Sequence, residues 1–165
     1  MYFVRGRRCK QLTSSACSTL AWRLYCLARI RTNRKWWANR KGRKFVSPRR
    51  RVIIADDHPE VVKTVMRILE PHCDVISTAA DGEALLQQVG HSIPDVVVSD
   101  IHMPHMNGLD ACRHIRRTYP FISVVLITAL PDEKVTGLAL RSGAYALVCK
   151  HAMLDELPTV VLTAT

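Results

Sequence analysis

Residues 51–60 read RVIIADDHPE. Val52-Ile53-Ile54-Ala55 is an apolar, largely β-branched run without a polar break, the pattern of a strand buried on both faces. It stops at two adjacent carboxylates, Asp56-Asp57. Asp57-His58-Pro59-Glu60 then reads as a helix start, with an acidic cap, a proline in the first turn and a glutamate three residues after the cap. The helix is expected to run to about Glu70, bury Val61, Val65, Ile68 and Leu69, and end at Pro71. A buried strand that ends on acids and hands over to an amphipathic helix is the first half of a βα unit.

The same grammar repeats outward along the chain. Val75–Ala79 predicts a second strand, and Asp81-Gly82-Glu83 opens a helix that buries Ala84, Leu85 and Val89 and closes at Gly90. Val96–Ser99 is a third strand that stops at Asp100, followed by a loop rich in Met, His and Pro. Gly108 to about Thr118 reads as a helix with Leu109, Cys112 and Ile115 inward. Val124–Ile127 is a fourth strand ending at Thr128. After the break at Pro131, a helix runs from Asp132 to Ser142 and stops at Gly143. Tyr145–Cys149 is the fifth strand, ending at Lys150. A last helix covers Leu154 to about Leu162, where Pro158 requires either a first-turn position or a kink. Strictly alternating strands and helices argue for a parallel sheet covered on both faces. The expected fold is α/β, a doubly wound five-stranded parallel sheet.

In such a sheet the carboxyl ends of the strands share one edge, and ligands bind in the crevice outside it. Asp56-Asp57, Asp100, Thr128 and Lys150 all fall at strand ends, so the fold itself would bring them together. Taken singly, Asp57 is a helix cap, Asp100 a loop carboxylate and Lys150 a solvated strand end. Together they are the parts of a magnesium and phosphoryl site. Mg2+ takes hard oxygen ligands, usually one or two carboxylates plus phosphate oxygens, and a cation relieves the repulsion among clustered carboxylates. An aspartate can serve as the nucleophile that becomes an aspartyl phosphate. Lys150 then neutralises phosphoryl charge and Thr128 donates to a phosphoryl oxygen.

Composition separates the two ends of this 165-residue chain. Residues 1–51 hold 16 of the 24 Lys and Arg and none of the 14 Asp and Glu, so the remainder carries 8 basic against 14 acidic side chains, a net of −6 beneath an overall +10. The six cysteines, Cys9, Cys17, Cys26, Cys73, Cys112 and Cys149, contain no C-x-x-C pair and no zinc-finger spacing, which reads as free thiols in a reducing cytosol. No stretch approaches the roughly 20 uninterrupted apolar residues of a membrane span. Ala16–Ile30 comes nearest and is broken by Arg23 and Arg29. A signal or transit peptide is disfavoured by the same Arg23.

These motifs are similar to those of a known family, the receiver domains of two-component response regulators. The likeness rests on Asp56-Asp57 after RVIIA, on SDIHMPHMNGLD around Asp100 with Pro104 and Gly108, on Thr128-Ala129 after VVLI, and on Lys150 after SGAYALVC. It covers about residues 51–163. ADDHP and GLDACRHIRRTYP resemble most the nitrate-regulator or quorum-regulator type, whose receivers precede a helix-turn-helix domain. The resemblance implies the flavodoxin-like strand order 2-1-3-4-5. It implies that Asp100 accepts a phosphoryl group from a histidine kinase, that Asp56, Asp57, Asp100 and the backbone carbonyl of His102 hold Mg2+, and that Thr128 and Lys150 bind phosphoryl oxygens beside a small Ala129. Movement of Thr128 would bias the face formed by the fourth helix, fifth strand and fifth helix, a surface for homodimer formation. It further implies a cytoplasmic protein that is not primarily an enzyme and that regulates transcription in the full-length relatives.

Three departures from the family pattern stand out. The common aromatic switch position, three residues before the lysine, is Leu147, with Tyr145 two residues earlier. His102 has a side chain with two readings, one facing the phosphoryl group and modulating attack by water, the other a solvent-facing loop imidazole. The third is the chain end at Thr165, which leaves no room for an output domain, so the division expected is a basic leader over 1–48 and a receiver domain over 49–165. His58 and His105 read as surface loop residues, with metal binding the weaker alternative, since no ligand spacing supports it.

The leader, with Trp22, Trp36 and Trp37 among dense Arg, has three readings. It is a disordered tail, a salt-sensitive nucleic-acid-binding arm, or translated upstream sequence preceding a true start at Val46. Two other classes compete for the rest. A magnesium-dependent phosphatase with an aspartate nucleophile would want an Asp-x-Asp pattern after the first strand, where the chain has Asp56-Asp57-His58. A flavodoxin-type redox module would want a phosphate-cradling loop there, which two acids oppose.

Overall fold

A computed structural model describes residues 2–3, 49–130 and 132–164. The expectations for the leader fall largely on residues 4–48 and lie outside the described residues. Along the chain come β1 (Tyr2–Phe3), β2 (Arg50–Ala55), α1 (Pro59–Leu69), β3 (Cys73–Ala79), α2 (Gly82–Ser92), β4 (Val96–Asp100), α3 (Gly108–Thr118), β5 (Ser123–Thr128), α4 (Glu133–Ser142), β6 (Ala146–Cys149), a single 3-10 turn over Lys150–Ala152, and α5 (Met153–Thr163).

The strands β2 to β6 pair in parallel in the order β3-β2-β4-β5-β6, which is the order 2-1-3-4-5 for the five expected strands. One element was not expected. Tyr2–Phe3 adds a sixth, antiparallel strand at the β6 edge, pairing Tyr2 with Leu147 and Phe3 with Ala146. Two residues carry no periodicity, so composition alone cannot announce such a strand.

Period-2 alternation sorts the strand side chains onto two faces. Ile53, Val97, Val124 and Leu126 pack with Leu85 of α2 and Ile115 of α3. Val52, Ile54, Val98 and Ile127 pack on the other side with Val65 and Leu69 of α1 and Leu157 of α5. Because β2, β4 and β5 are covered on both faces, they read as unbroken apolar runs, and Val52 through Ala55 are all 0% exposed. Burial of each such side chain contributes about 1.5–3 kcal/mol.

Several helix ends differ from expectation. α1 is capped at His58, which makes no side-chain cap bond, rather than at Asp57. The carboxylate of Asp56 instead accepts the His58 backbone N–H at 2.8 Å. Gly90 does not close its helix. α2 continues to Ser92 and stops at Ile93, in a left-handed conformation with φ 47°, because Pro94 disfavours a helical residue before it. α5 runs through Pro158. Proline has no N–H to donate to the Leu154 carbonyl one turn earlier, and Leu154 is itself exposed. Asp81 and Asp132 do cap their helices, accepting from Ala84 and Val135, and Gly143 ends α4 with φ 83°. Ala84, Leu109, Val61 and Ile68 are partly rather than fully buried. No helix among the described residues is long and apolar enough to cross a membrane.

Candidate functional site

The parallel register sets the strand ends side by side: Ala55 lies opposite Ser99, Asp100 opposite Ile127, and Thr128 opposite Cys149. The residues that follow β2 and β6 therefore converge on the end of β4. The Lys150 ammonium lies 2.8 Å from Asp56 Oδ2 and 3.1 Å from Asp100 Oδ1. Both carboxylates are buried, at 2% and 4% exposure, so the pairing takes place largely out of water.

Each carboxylate is also held from the backbone. Asp56 Oδ1 accepts from the His58 N–H, and Asp100 Oδ2 accepts from the His102 N–H at 3.1 Å. Burial raises the pKa of Asp100 above the ordinary carboxylate range, Lys150 draws it back, and the charge of Asp56 pushes it up again. For Lys150, burial opposes the ammonium, but the bonds and charges of Asp56 and Asp100 outweigh it and hold the group above its usual value.

Asp57 sits at the rim, partly exposed, with Oδ1 2.9 Å from His58 Nδ1. The same ring nitrogen lies 3.3 Å from Asp56 Oδ1. His58 was read as a surface loop residue, with metal binding the weaker alternative, and nothing in the sequence predicted that its ring turns onto the pair. Its ring is exposed, but it is turned onto the acidic pair, and one ligand atom each from Asp56, Asp57 and His58 falls within 4.8 Å of the others. Adjacency to Asp56-Asp57 was the only available sequence signal.

Thr128 is buried, yet its hydroxyl is engaged with its own loop, 3.4 Å from both the N–H and the carbonyl of Leu130. Ala129 is exposed, and its carbonyl accepts from the Cys149 thiol at 3.6 Å. That thiol is also 2.9 Å from His151 Nδ1. His102 is exposed, as is His105, which has φ 59°. Leu147 is buried at 6%, and the hydroxyl of Tyr145 donates to the Thr163 carbonyl at 3.0 Å, which ties that ring to the end of α5.

The loop after Asp100 is fixed by two glycines. A Cβ at Gly108 would fall on the backbone carbonyl of Asp100, and one at Gly82 would come within 2.5 Å of the Met106 carbonyl. α3 thus starts directly against the backbone of Asp100, an approach open only to a residue without a side chain. Asn107 caps the helix through Asp110 N–H.

The Response regulator receiver domain family matches residues 52–162. The transcriptional regulatory protein DegU of Brevibacillus brevis is 34% identical over 108 residues, 64% of this chain and 46% of that protein. A protein-glutamate methylesterase/protein-glutamine glutaminase of Geobacter metallireducens is 42% identical over 98 residues, 57% of this chain and 28% of that protein. Among solved structures, the signal receiver domain of NarL from Mycobacterium tuberculosis superposes with a TM-score of 0.66 at 31% identity, over 70% of this chain and 94% of that one. The chain spans about half or less of the length of the curated relatives it matches.

Proposed function

For this chain, which belongs to the response regulator receiver domain family, we propose that Asp100 accepts a phosphoryl group from a histidine kinase and that the modified site redirects protein contacts. The observation that carries the reading is the partly buried Lys150 bridge between the buried carboxylates of Asp56 and Asp100, the Asp56–Lys150 pair lying 94 residues apart. A lysine held between two buried carboxylates costs desolvation of three charges. That expense is understandable where the arrangement will receive further negative charge.

The steps assigned to the residues follow from their places. The Asp100 oxygen that Lys150 releases attacks phosphorus as the P–N bond to the donor histidine breaks, and the leaving imidazole takes that bond's electron pair and keeps the proton on its other nitrogen. Lys150 turns from Asp100 to the incoming phosphoryl oxygens. The Thr128 hydroxyl leaves its 3.4 Å bonds with Leu130 and donates to the same group. The small, exposed Ala129 leaves the approach open. The hard oxygens of Asp56, Asp57 and Asp100 and the His102 carbonyl suit Mg2+, and this ion, when bound, offsets the charge that builds on the phosphoryl group.

Because Leu147 is buried and Tyr145 is tied to Thr163, the shift reaches the face formed by α4, β6 and α5 without a rotating aromatic ring. That face is the proposed homodimer surface. A cytoplasmic location, a role in transcription through a DNA-binding domain outside this chain, and a signalling rather than catalytic role complete the reading. Enzyme relatives do not oppose it, since their match covers only 28% of the Geobacter protein.

The test is intact mass measurement of the chain after incubation with a small phosphodonor, with and without Mg2+, beside Asp100→Asn. One phosphoryl adduct requiring both Mg2+ and Asp100 supports the reading. Adduct formation that persists in Asp100→Asn overturns the assignment of the acceptor.

A further inference from the structure

We propose that the His58 imidazole is a nitrogen ligand of the cation held by Asp56 and Asp57, and that it biases the site toward Mn2+ and other transition-metal ions over Mg2+. This rests on the reading of the acidic cluster as a cation site.

The local chain explains why the ring is there. Pro59 fixes the first turn of α1, and His58, just outside it, has extended backbone angles of φ −101° and ψ 107°. Its N–H is committed to Asp56 Oδ1, which holds the residue against the acidic pair, and the ring folds back over the same carboxylates.

The two distances from the ring suit neighbouring positions around a cation, and the two carboxylate oxygens lie within 4.8 Å of each other. In an octahedron, neighbouring ligands about 2.1 Å from a metal lie roughly 3.0 Å apart. His58 Nδ1 is 2.9 Å from Asp57 Oδ1 and 3.3 Å from Asp56 Oδ1. Asp56 divides its two oxygens between partners, with Oδ2 on Lys150 and Oδ1 on the His58 side, so the lysine does not compete for the ligand oxygen. The ring itself is 68% exposed. Without a cation, Nδ1 donates its proton to Asp57 Oδ1; a bound cation would take that proton's place, with the ring then carrying its proton on the outer nitrogen, which faces water.

Two carboxylates and an imidazole form a mixed donor set. Imidazole is a good ligand for first-row transition ions, whereas Mg2+ and Ca2+ favour carboxylate, carbonyl and water. An all-oxygen site gains less from exchanging Mg2+ for Mn2+ than one that adds a nitrogen. The nitrogen ligand gives the site a metal preference, so that the metal available to the cell sets the state of the site.

The experiment uses the full chain with Mn2+ as the probe. Continuous-wave electron paramagnetic resonance counts bound Mn2+, Mg2+ competition gives the affinity ratio, and pulsed measurements detect nitrogen-14 coupling to the bound ion. The expected result is one bound Mn2+ with nitrogen coupling that disappears in His58→Ala and persists in His102→Ala. The Mn2+ over Mg2+ affinity ratio should fall on the order of 10-fold in His58→Ala, in line with loss of a metal-site partner. Because His58 is exposed, circular dichroism should show the variant folded as the wild type. Unchanged Mn2+ affinity in His58→Ala together with no nitrogen coupling in the wild type overturns the proposal and leaves the carboxylate site standing. No bound Mn2+ in the wild type, or binding that survives Asp57→Asn, overturns the cation site and the proposal with it.

Discussion

Replacing Lys150 by Met tests how far the fold depends on charge compensation at the site. The substitution keeps an apolar stem of similar length and removes the ammonium. Nζ lies 2.8 and 3.1 Å from the two carboxylate oxygens, so those oxygens are no more than about 6 Å apart. At an effective dielectric of about 20, two unit charges at that separation repel by roughly 3 kcal/mol. Breaking a buried pair by deleting one partner costs about 3–5 kcal/mol, and the partial exposure of Lys150 favours the lower end. A loss of about 3 kcal/mol, at a urea slope near 1.5 kcal/mol per M, lowers the unfolding midpoint by about 2 M. The assay is urea unfolding in chelator, repeated with Mg2+, which should restore more stability to the variant than it adds to the wild type. The acid response is also fixed in sign. Asp100 is raised by burial, and removing Lys150 removes a lowering influence. The folded variant therefore binds more protons than the unfolded chain in the window just above the ordinary carboxylate range, and its stability rises as pH falls from neutrality toward about 5. A midpoint shift below about 0.5 M, or a loss indifferent to pH, refutes the reasoning.

In chelator at neutral pH, Asp100→Asn should be more stable than the wild type, because it removes a charge that burial disfavours; urea midpoints should show the advantage shrinking as pH falls through the raised value of Asp100. Gly108→Ala should lower stability by about 3 kcal/mol, the upper part of the overpacking range, since the added methyl falls on the Asp100 carbonyl; thermal unfolding reads this directly. Leu157→Ala should cost about 3 kcal/mol by the same measurement, because Leu157 is fully buried between α5 and the sheet. Tyr145→Phe should cost no more than about 1 kcal/mol and leave phosphoryl uptake unchanged by mass measurement, because it removes only the bond to Thr163.

The strands were legible because burial on both faces demands long apolar runs, and VIIA, VVVS and VVLI leave no other reading. The convergence of Asp56, Asp100 and Lys150 was legible for a topological reason, since parallel strand ends share an edge whatever the side chains do. The individual orientations were not. Whether Thr128 faces Asp100 or its own loop depends on one rotor, and whether the His58 ring faces water or the carboxylates depends on the first turn of α1. Gly90 misled because glycine in a helix is tolerated at a cost of about 1 kcal/mol, and the true stop came from Pro94. The Tyr2–Phe3 strand was invisible because pairing at a sheet edge is decided by geometry remote in sequence.

The 94-residue separation of Asp56 and Lys150 also has a consequence for biosynthesis. At about 5–20 residues per second of translation, Lys150 emerges roughly 5–20 s after the acid it must neutralise. Until then Asp56 and Asp100 have no ammonium between them, and β6 is not there to finish the sheet. The nascent chain thus cannot complete this charge cluster early. A product cut short anywhere before Lys150 presents acids without their counter-charge, so, under the proposed reaction, phosphoryl uptake would report that the last strand has been made and docked.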